Sequence, residues 1–377
     1  MKKVLLVGEL TLGSTGSYVD SLASNIMQYS KDIIVHILPT SFSYKSTKAK
    51  VVGVKVPKLI VNKKFRGSDK LIFFFTILWI IKQYLFGNRY DTIQIHYLIL
   101  SYNKLIYLFK LISNNIVGVF WGSDLFRQKK ENYAKLHQIC LKCNVLNFST
   151  ETMEEFYKKN ISFLPEKIKI SRCRFGLSNL SIIDSLRNQT KLSLIKHLGI
   201  SEEYLSKKII TIGYNGKREQ QHLKVIESLK ELSNKNDYLL LFPVTYGKNA
   251  MYIDEIKSKA LESNFESVFF ESYLTDEKVA ALRLLSDVFI QVQITDALSG
   301  STQEHLYAGS FTIVGDWLPY KVLQESGVVF NSVRSISEIN GVIKSFNPEC
   351  TDFKETNISA IGMLSSWQYT IKDWVML

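Results

Sequence analysis

Short apolar runs alternate along this chain with longer stretches whose apolar positions recur at helical spacing. In the first half, residues 3–7, 33–38, 92–96, 116–121, 145–149 and 168–172 have the length and β-rich content of strands. Between them, residues 18–29 and 103–112 carry helical patterns, and 151–158 opens a helix whose first turn is acidic, as the helix dipole favours. The pattern weakens into a polar, mostly helical connector from Ser178 to Lys208 and then restarts. Strands are expected at 208–213, 238–243, 268–270, 288–292, 312–314 and 328–330. Helices are expected at 220–232, 250–263 and 276–285, and another begins at 302–308. A helical tail with aromatic residues covers 358–374.

Strands alternating with helices predict an α/β chain with parallel sheets and crossover helices. Two complete series predict two Rossmann-like domains in tandem, facing across a cleft. The expected divisions are an N-terminal domain at 1–180, a connector at 181–206, a C-terminal domain at 207–345 and a helical segment at 346–377 that packs back on the first domain. In such sheets ligands bind beyond the carboxyl ends of the strands, so chemistry is sought in the loops that follow them.

Composition narrows the picture. Of 377 residues, 46% are hydrophobic and 22% charged, which excludes a disordered or collagenous chain. The formal charge of +12 is uneven: residues 1–188 hold 28 Lys and Arg against 12 Asp and Glu, and the remainder hold 19 against 23. A basic first half points to an anionic ligand or surface. Residues 4–7 are too short a run for a secretory signal, and a cytoplasmic location is the expectation.

The longest apolar run, residues 71–81, falls short of the about 20 residues a bilayer span needs. Two readings fit it. One is a buried helix. The other is a membrane-surface helix with a basic collar, since Lys58, Lys63, Lys64, Arg66 and Lys70 precede it and Lys82 and Arg89 follow. Its periodicity does not separate them, because the run is apolar all round. Four cysteines are too few for a disulfide framework in a chain of this size. His137, Cys140 and Cys143 would share one side of a helix, but lack the second close ligand pair of a zinc site, and no metal is expected.

Among the loops, Asp296 to His305 carries the most chemistry. Ser299-Gly300-Ser301-Thr302 at a helix start turns free N–H groups and the positive dipole end outward, an anion seat. Glu304, read as lying in the first turn, is placed to accept two hydrogen bonds from a ribose diol. The same residues also read as an ordinary capping box, with Ser301 or Thr302 as the cap.

Asp296 and Glu304 enclose seven residues. This resembles the Glu-x7-Glu signature of glycosyltransferase family 4 and its GT-B relatives, with Asp in the first position. The resemblance implies that Glu304 binds the nucleotide ribose, Asp296 touches the donor sugar, and the amides of Ser299, Gly300, Ser301 and Thr302 hold the diphosphate. Gly213 to His222 resembles the family's basic loop opening the second domain. There Gly216, Lys217, Arg218 and His222 would face the diphosphate, and Arg218 or Lys217 would neutralise it as it leaves. In the first domain, Gly13-Ser-Thr-Gly16 resembles the glycine-rich loop that lets backbone approach the donor. Asp91 to His96 resembles the strand ending in a His beside the reacting sugar. Trp121-Gly122-Ser123-Asp124 resembles the His-Gly-x-Asp turn, and Arg174 to Ser178 the turn at the hinge. Trp121 to Leu125, Gly213 to His222 and Pro243 to Tyr252 are also similar to lipid-linked 4-acetamido-fucose transferases, which invert configuration where family 4 retains it; the Asp-x7-Glu spacing favours retention.

The resemblance implies a cytoplasmic enzyme, peripheral to the inner face of the membrane. It would move a sugar from a nucleotide diphosphate sugar, UDP-linked by preference, to a lipid-linked or growing saccharide of the cell envelope. His96, Asp296 and Arg218 would act at the reacting centre. No Asp-x-Asp occurs in the chain, which fits a metal-independent GT-B enzyme without cofactor. Two alternatives remain open at this level. A nucleotide-sugar epimerase of the same shape needs no acceptor. A non-enzymatic basic module would bind membrane or nucleic acid, but no DNA- or RNA-reading motif is present, and a nucleic-acid partner is not expected.

Overall fold

The structure is a computed structural model that describes residues 1–8, 18–40, 49–53, 68–247, 249–347 and 352–377, apart from the side chains of 68–72. The chain divides into two compact units, residues 1–176 with 367–377, and residues 177–366.

Among the described residues, the first unit contains β1 (Lys2–Gly8), β2 (Ile33–Pro39), β3 (Lys50–Val51), β4 (Thr92–His96), β5 (Ile116–Val119), β6 (Val145–Asn147) and β7 (Lys169–Ser171). They form one sheet in the order β3-β2-β1-β4-β5-β6-β7, every pairing parallel. The second unit contains β8 (Lys208–Ile212), β9 (Tyr238–Phe242), β10 (Glu266–Phe269), β11 (Val288–Gln291), β12 (Phe311–Gly315) and β13 (Asn331–Val333), in the order β10-β9-β8-β11-β12-β13, again all parallel.

Parallel strands covered by helices on both faces must be apolar on both faces. Val4 to Val7 in β1 and Leu239 to Phe242 in β9 are accordingly all buried. Each sheet reverses its strand order once, between β1 and β4 and between β8 and β11. Loops leaving the two central strands diverge to opposite faces there, which opens a crevice at their carboxyl ends. The register aligns Val7 with Ile95 in one unit and Ile212 with Ile290 in the other. The residues immediately beyond are therefore Gly8 and His96, and Gly213 with the segment after Gln291.

In the second unit, one side of the sheet packs Ile210, Ile290 and Ile313 against the helices His222–Leu229 and Ala250–Glu262. The other side packs Leu239 and Leu241 against the helix Asp276–Leu285. In the first unit, Leu22 and Ile26 of the helix Tyr18–Tyr29 share a core with Ile371 and Trp374 of the helix Trp367–Met376.

Several sequence expectations shift. Residues 181–206 do not stand apart. They contribute to the helices Asn179–Leu186 and Lys191–Leu198, which pack on Asp276–Leu285 within the second unit. The helical tail is divided. Asp352–Ser365 belongs to the second unit, Trp367–Met376 to the first. The strand expected at 328–330 lies at Asn331–Val333 because Val328 is held in the turn after the helix Lys321–Glu325, its N–H bonded to Leu323. The helix Tyr133–Cys140 lies outside the expected elements, its apolar positions being sparse.

Trp374 is 1% exposed, and its Nε1 donates to the Arg174 carbonyl at 2.8 Å. Removing a buried indole leaves a cavity and an unpaired carbonyl. Trp374→Ala is expected to destabilise the first unit by about 3–5 kcal/mol, read as a lower urea midpoint in a transition that leaves the second unit's signal in place.

Candidate functional site

In the second unit the helix Gly300–Ala308 starts beyond β11, at the reversal point of the sheet. Its N-cap is Ser299, whose Oγ accepts from the Thr302 N–H at 3.2 Å. This corrects the expected cap at Ser301 or Thr302. Ser299 wins because its backbone is extended while Gly300 already turns helical. With the cap two or three residues earlier, Glu304 lies in the second turn, not the first. Capping uses the third helical amide and leaves those of Gly300 and Ser301 without an intrahelical acceptor. The Ser301 Oγ is buried and has no partner among the described residues.

Glu304 is 14% exposed at its side chain, and its Oε2 accepts from Arg283 Nε at 3.1 Å. Burial pushes this carboxyl above its ordinary value, while Arg283, and then Asn179, pull it back. Arg283 itself is 9% exposed at its side chain. Its Nη1 donates to His305 Nε2 at 3.0 Å, so the imidazole proton resides on Nδ1, which donates to Ser310 Oγ at 3.1 Å. Burial and the Arg283 charge hold His305 well below its usual pKa, which agrees with that neutral tautomer. Arg283 thus supports Glu304 from 21 positions away. Sequence reasoning missed it, since nothing in the pattern of its own helix marks it.

Asp296 is held by Tyr320, whose hydroxyl donates to Oδ2 at 2.5 Å, and by the Ala297 N–H at 2.9 Å to Oδ1. The Tyr320 oxygen also lies 3.3 Å from Thr302 Oγ1 and 3.4 Å from Gln291 Nε2. Asp296 and the start of the helix are therefore joined through one phenol, another residue the sequence did not single out.

The loop after β8 turns at Gly213, φ +63°. A Cβ there would sit 2.7 Å from Gln220 Oε1 and 3.1 Å from His222 Nε2. Gln220 Nε2 donates to Gln293 Oε1 at 2.7 Å, and the Ile294 N–H donates to the Glu219 carbonyl at 2.9 Å. These bonds tie the β8 loop to the β11 loop. Gly216 donates its N–H to the Tyr246 carbonyl at 2.8 Å. Lys217 lays its aliphatic stem across Gly247, leaves its ammonium exposed, and has no ion-pair partner among the described residues. Arg218 is engaged. Its guanidinium meets both Glu255 oxygens, at 3.0 and 2.5 Å, and lies 4.4 Å from the centre of the Tyr252 ring. His222 is fully buried, and desolvation lowers its pKa to about 3. It is a neutral ring rather than a cation. Tyr246 and Tyr273, beyond β9 and β10, present half-exposed rings that are parallel within 5° and 6.5 Å apart.

In the first unit, His96 ends β4 opposite Gly8, where a Cβ would lie 3.3 Å from the His96 Cβ. Its ring is enclosed by Trp121, Phe175 and Trp374, with centroids 6.3, 5.8 and 5.7 Å away. Neither ring nitrogen has a partner among the described residues, and desolvation lowers the pKa to about 3. The Trp121 Nε1 beside it is likewise buried and without a partner among the described residues. Asp124 locks the turn after β5. Its Oδ1 accepts from Trp121 and Gly122 at 2.9 and 3.0 Å, and its Oδ2 from Leu98 at 2.8 Å. Burial raises its carboxyl to about 7. Gly16, and the glycine-rich loop around it, lie outside the described residues.

Asp296, Ser299 to Thr302 and Glu304 thus gather around one helix start. Gly216, Lys217 and His222 stand on the adjoining β8 loop, and Arg218 is turned to Glu255. Of the cysteine motif, His137 Nδ1 pairs with the Tyr157 hydroxyl at 2.8 Å, and burial raises both thiols, that of Cys143 to about 12.

No family profile and no curated protein matches the sequence. Solved structures do match the fold. Sucrose-phosphate synthase from Thermosynechococcus elongatus is similar at a TM-score of 0.75 and 10% identity, covering 99% of this chain and 97% of that one. Anabaena HepE in complex with UDP and glucose is similar at 0.70 and 12%, covering 100% and 99%. A glycosyltransferase from Rickettsia africae is similar at 0.72 and 13%, covering 100% and 97%. The chain has the GT-B fold, with two Rossmann-like units each built on a parallel sheet.

Two outcomes are expected from these contacts. Arg283→Met strands a buried carboxylate and should cost about 3–5 kcal/mol, most of it recovered when Glu304→Gln is added; chemical denaturation of the wild type, the two single variants and the double variant measures this. His96 is neutral when folded and titrates near 6.5 when unfolded, so its contribution to stability is present above 6.5 and is lost as pH falls towards 3. His96→Phe should flatten the acid slope of stability by about 1.4 kcal/mol per pH unit between 6 and 4; urea midpoints across that range test it.

Proposed function

We propose that this protein is a glycosyltransferase that takes a sugar from a nucleotide diphosphate sugar, UDP-linked by preference. The acceptor in this reading is a lipid-linked or growing saccharide of a cell-envelope polysaccharide, reached at the cytoplasmic face of the membrane. One observation carries the proposal: a helix start with two open amides, at the reversal point of a parallel sheet, is flanked by two carboxylates each held by a dedicated partner.

The chemistry follows from what each group offers. Breaking the sugar–phosphate bond leaves negative charge on the diphosphate. The Gly300 and Ser301 amides and the positive helix end are fixed before that charge develops, so they stabilise it without reorganising. The exposed Lys217 ammonium, without an ion-pair partner among the described residues, adds a cation. Arg218 takes part in this reading only by releasing Glu255, so Lys217 is the principal cation. Glu304 remains an acceptor beside Arg283, suited to the two hydroxyls of a ribose. Asp296, oriented by Tyr320, accepts from a sugar hydroxyl. Tyr246 and Tyr273 offer flat faces to the base. His96 is a neutral ring whose nitrogens find no partner among the described residues, which suits it to act as a neutral hydrogen-bond donor, and retention of anomeric configuration is the expected outcome. Fixed amides and Lys217 supply the charge stabilisation that other enzymes obtain from a divalent ion.

The test is a radiolabelled donor screen against polyprenyl-linked saccharides with purified protein. Lys217→Ala is expected to lower kcat/KM by about 10²–10³, and Glu304→Ala should lose most activity with the fold retained by circular dichroism. Arg218→Ala should cost less than Lys217→Ala. Wild-type turnover in both Lys217→Ala and Glu304→Ala would refute the assignment of the site.

A further inference from the structure

The apolar run at 71–81 lies within an 18-residue helix, Ser68–Leu85, of the first unit. The structure separates its faces. Trp79 and Ile80 are buried, whereas Phe74, Leu78, Ile81 and Leu85 are exposed by 53, 44, 39 and 73%. These four follow one another at steps of four, three and four residues, so they form one stripe along the helix. Phe86, just beyond the helix end, is 72% exposed. The neighbouring helix Tyr102–Phe109 packs against Ser68–Leu85 and ends in the same manner, with Tyr107 60% and Leu111 40% exposed. Scattered exposed apolar residues are ordinary, but an ordered stripe of them is not.

Cations border the stripe. Lys82 lies 6.0 Å from the Phe86 ring centre, Arg89 4.9 Å from that of Tyr84, and Lys142 4.1 Å from that of Tyr107. Lys104 and Lys110 are exposed on the second helix. Among the described residues no acidic side chain pairs with any of these five. Aromatic rings carrying cations at the edge of an apolar strip suit a headgroup layer, where the stem and ring sit among acyl chains and the charge stays with phosphates. No helix among the described residues is long and apolar enough to cross a membrane, so the fitting geometry is one lying in the surface.

We infer that the Phe74–Leu78–Ile81–Leu85 face of the first unit docks on an anionic lipid bilayer, with Lys82 and Arg89 contacting lipid phosphates. The charge complementarity and the rim of ring-borne cations select lipid over a second copy of this chain, whose identical cations would repel. The inference deepens the proposed reading, because it supplies the surface on which a lipid-linked acceptor is met, and it is measured without any substrate.

The experiment is flotation of the full chain with vesicles of phosphatidylcholine alone, or with about one third phosphatidylglycerol, at low and at physiological salt. The wild type is expected to float with the anionic vesicles only. The variant Phe74→Ser, Leu78→Ser, Leu85→Ser, Phe86→Ser should lose binding by about a hundred-fold or more. The pair Lys82→Gln and Arg89→Gln should lose about twenty-fold, at roughly five-fold per cation. Phe163→Ser, an exposed phenylalanine on another part of the unit, should bind as the wild type does. Circular dichroism and melting temperature control for folding. The inference is overturned if the wild type stays unbound, or if the four-residue variant floats as well as the wild type. It is also overturned if sedimentation shows this face holding a dimer with no vesicle binding. Vesicle binding without any nucleotide-dependent activity would uphold this face and count against the transferase reading alone.

Discussion

A parallel sheet cannot return its strands through short hairpins, so each connection crosses one face, and right-handed crossovers cover both faces only if the strand order reverses once. That constraint fixes where this protein can hold a ligand. Between β8 and β11 the departing loops diverge, and the helix Gly300–Ala308 begins in the gap they leave. Glycines occupy the places where backbone must come close. A side chain on Gly213 would collide with Gln220, the residue that links the two loops through Gln293. The seat is therefore built by the sheet before any side chain is chosen for chemistry.

Side chains then solve an electrostatic problem. A carboxylate placed on the second turn of a half-buried helix is costly to keep charged. Arg283 answers the Glu304 charge, and His305, held neutral with its proton on Nδ1, accepts from Arg283 without adding a second positive charge. Asp296 is served by a neutral phenol instead. Glu304 is thus ion-paired to Arg283, and Asp296 accepts from the Tyr320 hydroxyl. Arginine beside the seat is thus mostly committed, with Arg283 on Glu304 and Arg218 on Glu255. Lys217 is the cation left available by the described ion pairs.

Much of this was legible in the sequence because strand runs and helix periodicity are local. The helix Asp276–Leu285 matches its expected span at both ends, and the strands of both sheets have expected counterparts except the two-residue β3 and except β13, which lies beyond the expected 328–330. What escaped depends on distance or on competition. Arg283 meets Glu304 only after two helices pack. The hydroxyls of Ser299, Ser301 and Thr302 are each able to cap, and backbone conformation rather than composition selects Ser299. The run at 71–81 is apolar all round, so only the neighbours that cover Trp79 and Ile80 reveal which side faces outward. Arg218 matched a motif position, yet nothing nearby in sequence announced Glu255, 37 residues on.

The central claim is that the start of Gly300–Ala308 receives a nucleoside diphosphate. Crystals grown with UDP test it most directly. The account requires phosphate oxygens within hydrogen-bond distance of the Gly300 and Ser301 amides and ribose hydroxyls on Glu304. UDP bound elsewhere in the second unit with those amides unengaged, or no bound UDP at millimolar concentration, would contradict it.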